Sequence, residues 1–224
     1  MRRPVFLLLL IFALMVPAVA SAAERTVSVH ATVERQVPND SAEVHFSVSK
    51  ERVGRAAALR VVALRVQAVI AASRGISGVG AGDVSTGSIS VRRVKRGEKP
   101  VYRASEGVTV ITHSPEEAGD LVAAGVAAGA TSTRGPRFFV GDREAAYNAA
   151  LVEALEKAKT KAGLLAAAAG ATLGPAITIV EGGGVTAVSA PNASEPAGKD
   201  VASPPVKPGK STVEATVDAT FALQ

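Results

Sequence analysis

EGVTVITHSPEEAGDLVAAGVAAGATSTRGPRFFVGDREAAYNAALVEALEKAKTKAGLLAAAAGATLG, from Glu106 to Gly174, writes a strand, a helix, a second strand and a long helix in fewer than seventy residues. Val108, Val110 and Ile111 form a β-branched run that Ser114-Pro115-Glu116-Glu117 ends. Ser114 is suited to accept from a first-turn amide, Pro115 at the first helical position loses no needed donor, and Glu117 completes a capping box. The helix that follows carries Ala118, Leu121, Val122 and Val126, with Gly119 and Gly125 thinning it and Gly129 as its C-terminal cap. Glycine costs a helix roughly 1 kcal/mol against alanine, so two of them predict a neighbour at close range. Arg137-Phe138-Phe139-Val140 reads as a strand, and Asp142 as the N-cap of the second helix. Leu151, Leu155, Ala158, Ala162, Leu165 and Ala169 recur at steps of four and three as an apolar stripe, with Glu153 and Lys157 one turn apart on the opposite face.

Upstream, Val27, Val29, Ala31 and Val33 alternate with polar residues. Pro38-Asn39-Asp40 interrupts the pattern, and Ala42, Val44, Phe46 and Val48 resume it. Two amphipathic strands around a short turn predict an antiparallel hairpin with one buried face. Leu59, Val62, Val66, Val69 and Ile70 then recur at helical spacing among Arg60, Arg65 and Gln67, and Gly75 ends the helix. A basic amphipathic helix also suits a membrane surface, but the hairpin is at hand to cover this one.

Gly75 to Asp83 is glycine-rich, yet it runs from a helix into a strand and lacks the Lys-Ser/Thr of a phosphate loop, so it reads as a connection. Ser88 to Val94 and Val101 to Ala104 predict a second hairpin. Arg92, Arg93, Lys95, Arg96, Lys99 and Arg103 make it the most basic surface of the chain. It is a candidate site for an acidic partner, an anionic lipid headgroup or an envelope polymer. Such charges, with Pro100, also keep a strand edge from aggregating. Beyond Gly174, Ile177, Ile179 and Val180 mark a strand, residues 182–209 form a Pro/Gly/Ser/Ala-rich loop expected to be disordered, and Val213, Ala215, Val217, Ala219 and Phe221 alternate in a final strand.

Arg2 and Arg3, the apolar run Val5 to Val16 and the small residues Ala20-Ser21-Ala22 predict a Sec signal peptide over residues 1–22, cleaved after Ala22. The run is short for a membrane span, so no transmembrane segment is expected in the mature chain. No cysteine follows the cleavage site, which excludes a lipoprotein. Loss of Arg2 and Arg3 with no acid lowers the formal charge from +5 to +3, a mild balance that does not support nucleic-acid binding. The chain has no cysteine, and Met1 and Met15 both precede Ala22. A mature protein without sulfur has no disulfide, thiol redox chemistry or soft-metal site.

His30 and His45 fall on the polar face of the first hairpin, where a metal pair with Glu34 or Glu43 competes with plain solvated histidines; His113 belongs to the turn before Ser114. Glu43 and Glu106 are the carboxylates a hydrolase of envelope material would use, but nothing pairs them, and no G-x-S-x-G elbow occurs. No cofactor is expected.

The order of these elements resembles the SIMPL-domain family, exported bacterial proteins of the periplasmic or outer-membrane immunogenic type. The resemblance rests on the strand Val108 to Thr112, the capped helix closing in Ala127-Ala128-Gly129-Ala130, the Phe-bearing strand, the Asp-started Ala/Glu/Lys helix and the close Ala168-Ala169-Gly170-Ala171-Thr172-Leu173-Gly174. Asp83-Val84-Ser85-Thr86 and Tyr102-Arg103-Ala104 continue it. The resemblance implies one α+β domain over residues 23–224, with mostly antiparallel sheets built from hairpins and three helices packed on them. It also implies a periplasmic or secreted location, homo-oligomeric assembly and an association with oxidative stress. It brings no catalytic residues. The expected function is therefore non-enzymatic assembly and binding, with an anion-binding module on the basic hairpin and a carboxylate hydrolase as alternatives.

Overall fold

The computed structural model describes residues 24–97, 99–182, 203 and 205–224. The signal peptide expected over residues 1–22, its cleavage after Ala22 and most of the loop expected over residues 182–209 lie outside the described residues. Among those described, eight strands in antiparallel sheets and three α-helices make an α+β fold.

Strands β1 (Thr26–Pro38) and β2 (Ser41–Arg52) do not form the expected hairpin. β1 pairs with β8 (Lys210–Leu223), which also pairs with β7 (Leu173–Gly182), giving a three-stranded sheet β1-β8-β7. β2 instead lies between β5 (Lys99–Thr112) and β6 (Ser132–Phe139) in the second sheet, whose far edge is shared by β3 (Val84–Thr86) and β4 (Ser90–Arg96). Alternation fixes which face of a strand is buried, not which strand lies beside it. Here the partner of β1 comes from the far end of the chain. The second hairpin is real, but its return strand runs on without a break, so Val101–Ala104 and Val108–Thr112 are one strand, β5.

Each sheet has its own core. Helix α1 (Arg55–Arg74) packs Ala58, Val62, Val66 and Val69 onto Val44, Phe46 and Val48 of β2 and Ala104, Val108 and Val110 of β5. Leu121 of α2 (Ala118–Ala127) joins that core. Helix α3 (Arg143–Ala168) covers the other sheet, against Val29, Ala31, Val33, Val213, Ala215, Val217, Ala219 and Phe221.

The buried line of α3 is Ala150, Ala154, Ala158, Ala162 and Ala166, at strict steps of four. The leucines beside it are at the margin: Leu151 and Leu155 are half-buried, while Leu165 is exposed. The expected stripe was thus rotated, because a methyl at each turn lets the helix axis approach the sheet more closely than leucine would. Glu153 and Lys157 do not pair with each other. Glu153 reaches Arg35 at 3.7 Å, while Lys157 and Lys161 donate to the main-chain carbonyls of Thr32 and His30 at 2.9 and 3.1 Å.

Pro115–Glu117 is a 3₁₀ turn rather than the first turn of α2, and the Ser114 side chain caps nothing. The Glu117 amide bonds the Ser114 carbonyl at 2.9 Å instead. The other end is as expected. The amide of Gly129, at φ +105°, donates to Val126 and that of Ala130 to Gly125, so α2 closes with a Schellman motif. Asp142 caps α3 by accepting from the Ala145 amide at 2.8 Å.

Candidate functional site

The six basic residues of the β4–β5 hairpin do not form one patch. Residues opposite each other in an antiparallel pair share a face. Arg92 stands opposite Arg103 and Arg96 opposite Lys99, all on the outer face of the sheet, whereas Arg93 and Lys95 stand opposite Tyr102 and Pro100 on the face that carries α1. On the outer face, Glu51 of β2 also stands opposite Arg103. Arg96 Nε and Arg103 Nε each donate to the Glu51 carboxylate at 2.8 Å. These bonds, that from Arg96 foremost, hold Glu51 below the ordinary carboxylate range and raise Arg96 in turn. Two of the six charges are therefore engaged within the chain, and neutralise an opposition of Arg92 and Arg103 that would otherwise strain the hairpin.

The histidines part company as well. His30 lies in β1 and His45 in β2, in different sheets. His30 Nδ1 meets Asp218 Oδ1 at 2.9 Å within a polar ladder on the solvent face of β1 and β8, where Ser28 meets Thr220 and Thr32 meets Thr216. His45 Nδ1 meets Thr109 Oγ1 at 3.0 Å. Among the described residues no three His, Asp or Glu side chains come together as a metal site. Glu43 and Glu106 do not converge either. Glu43 pairs across from Ile111 and Glu106 from Val48, which places them five residues apart along β5 on opposite faces.

A well-connected polar group lies in a stretch the sequence disguised as a turn. Asn39, Asp40 and Ser41, the link from one sheet to the other, each bind a different element. Asn39 Nδ2 donates to the Pro208 carbonyl at 2.7 Å and its Oδ1 accepts from the buried Ser211 hydroxyl at 2.6 Å, fixing the start of β8. Asp40 Oδ1 accepts from the Gly141 amide at 2.6 Å, in the turn before α3. Ser41 Oγ lies 3.3 Å from His113 Nδ1 at the end of β5, and His113 Nε2 lies 3.2 Å from Asp83 Oδ1.

Ser41, His113 and Asp83 stand in the order of a nucleophilic triad, but the proton bookkeeping runs the wrong way. The Ser41 hydroxyl donates its only proton to Asp40 at 3.0 Å, so it can only accept from His113. Its side chain is also 1% exposed. This constellation joins β2, β5 and the Ala81–Asp83 turn and does not present a nucleophile.

The sheet edges differ in how they are guarded. β4 carries its arginines, a lysine and the facing Pro100. β6 is interrupted by Gly135-Pro136 between Arg134 and Arg137. The carbonyls of β1 are met by Lys157 and Lys161. On β7, in contrast, Ile177, Ile179 and Val180 are 48%, 52% and 52% exposed, and among the described residues only β8 pairs with it. Ile179 stands opposite Ala219, on the α3 side, and Val180 opposite Asp218, on the other, so the edge is apolar on both faces.

A family described as "SIMPL: Protein of unknown function (DUF541)" matches residues 27–221, from the first strand into the last. The chain therefore belongs to the SIMPL family. No curated protein matches it.

Proposed function

We propose that this SIMPL-family chain is an exported, non-enzymatic protein of the bacterial envelope, periplasmic or secreted, that works by assembling with copies of itself and by binding. The observation that carries the assembly is the β7 edge: among the described residues only β8 pairs with it, so its outer main-chain groups and the exposed Ile177, Ile179 and Val180 offer a second copy both hydrogen bonds and apolar area. Antiparallel pairing of β7 with the same strand of a second copy joins two three-stranded sheets into one of six and satisfies the two edges reciprocally about a two-fold axis. The leader-like residues 1–22 support export. Any part in envelope or oxidative stress tolerance is indirect, since a chain processed after Ala22 has no sulfur with which to consume an oxidant.

The absence of cysteine makes the pairing testable by single thiols. Ile177→Cys, Thr178→Cys and Ile179→Cys are made in turn, with Arg92→Cys on the guarded edge as control. Mild oxidation is expected to trap a dimer through at least one β7 position and none through residue 92. Failure of all three β7 thiols to cross-link, or equal cross-linking at 92, contradicts the reading.

A further inference from the structure

Between Arg52 and Gly97 the chain places nine arginines and lysines against a single acid, Asp83, although the formal charge of the whole sequence is only +5. Five of the nine, Arg52, Arg55, Arg60, Arg65 and Arg74, lie on or just before α1, which contains no acidic residue. The line of α1 that faces the sheet runs through Ala58, Val62, Val66, Val69 and Ser73. Half a turn away runs Arg60, Leu64, Gln67, Ala71 and Arg74, all exposed. Leu64 is 60% exposed, and Val53, in the bend that leads into the helix, is 80% exposed. By length and composition α1 is apolar enough to cross a membrane, yet only 28% of its most apolar window is buried. Its inner line holds it to β2 and β5, so it does not span; it lies flat with an outward face that is both apolar and basic.

The hairpin adds cations on the same side of that sheet. Arg93 and Lys95 project from the α1 side of the sheet, and Tyr102, opposite Arg93, packs against the core that α1 covers. Neither cation shares the outer face on which Glu51 engages Arg96 and Arg103.

We propose that the outward line of α1, with Val53 before it and Arg93 and Lys95 on the same side of the sheet, docks the protein on an anionic lipid bilayer. The cations meet the headgroups, while Leu64 and Val53 enter the acyl boundary, as interfacial helices do. A soluble polyanion would be matched by the charge alone and would gain nothing from Leu64 or Val53; a bilayer takes up both. The surface lies on the five-stranded sheet's layer and β7 on the other sheet, so lipid binding and self-assembly are separate properties read by separate experiments.

The test is co-sedimentation of the purified protein with vesicles of phosphatidylcholine alone and of phosphatidylcholine with phosphatidylglycerol, at low and high salt. Two double variants accompany the wild type: Arg60→Glu with Arg93→Glu, and Leu64→Gln with Val53→Ser. All four positions are exposed, and circular dichroism checks that each variant keeps its fold. The wild type is expected to sediment with the anionic vesicles and not with the neutral ones. The charge variant should bind at least about tenfold more weakly, since each cation near an anionic surface contributes on the order of fivefold. The apolar variant should lose several-fold, a loss that persists at high salt. Three results overturn the proposal: no binding to anionic vesicles at low salt, binding that the charge variant retains, or binding unchanged in the apolar variant and fully displaced by polyphosphate. The last would mark a site for a soluble polyanion.

Discussion

The Cβ that Gly125 lacks would stand 2.3 Å from Cε1 and 2.5 Å from Cζ of Phe46. The ring, fully buried, occupies the place of a side chain on α2, and this lets the short helix lie directly on β2. Gly125→Ala is therefore expected to destabilise the protein by about 1–3 kcal/mol in spite of its better helix propensity, because a buried ring has nowhere to move. Gly163, in α3, has nothing within 4 Å of its missing Cβ. Gly163→Ala should stabilise by up to about 1 kcal/mol. Denaturant midpoints of the two variants, shifted in opposite directions, check the pair.

The alanine line of α3 gives a second contrast. Ala158 is fully buried against the sheet and Leu164 is 70% exposed. Ala158→Leu should cost about 1–3 kcal/mol by forcing helix and sheet apart. Leu164→Gln should change stability by less than about 0.5 kcal/mol. Equal effects in equilibrium unfolding would contradict the close approach.

Much of the fold was legible in the sequence, for a definite reason. The α+β class, the start of α3 at Asp142, the close of α2 at Gly129 and the close packing at Gly125 all follow from local chemistry, and local chemistry is what a sequence displays. Sheet membership does not. β1 and β2 carry equally good alternations, and Pro38-Asn39-Asp40 looks like a turn because Asn and Asp favour turns. Their side chains here serve partners in β8 and before α3, more than a hundred residues distant in both cases. Nor does a run of cations show how its faces divide. The parity of β4 against β5 would have separated Arg93 and Lys95 from the rest, but Glu51, which engages Arg96 and Arg103, belongs to another strand.

Asn39 ties the junction of the sheets to the start of β8. Asn39→Ala leaves the Ser211 hydroxyl, 4% exposed, and the Pro208 carbonyl without this partner. The expected loss is about 1–3 kcal/mol. Amide exchange should quicken at the start of β8 before it does in α1. Uniform exchange through both sheets would argue against a local tie.

Glu51 gives the chain a pH dependence of known sign. Its carboxyl is held below the ordinary value of 4.5, first by the Arg96 bond and then by Arg103. Its contribution to stability is therefore fully present above that value and is lost as pH falls through the lower folded one. The stability gap between the wild type and Glu51→Gln should be steady near neutrality, close on acidification, and shrink in high salt because the group is near the surface. A gap that stays constant from neutrality into acid would contradict the Arg96-Glu51-Arg103 clamp.

Self-assembly through β7 sets the absolute mass of the particle in solution. Light scattering coupled to size exclusion, at two salt concentrations, is applied to the wild type and to a variant with Ile177→Lys and Ile179→Lys. A discrete, salt-stable multimer is expected for the wild type and a folded monomer for the variant, since two lysines guard the edge as charges guard β4. A wild-type monomer at every concentration, or a multimer that the lysines leave intact, would contradict it.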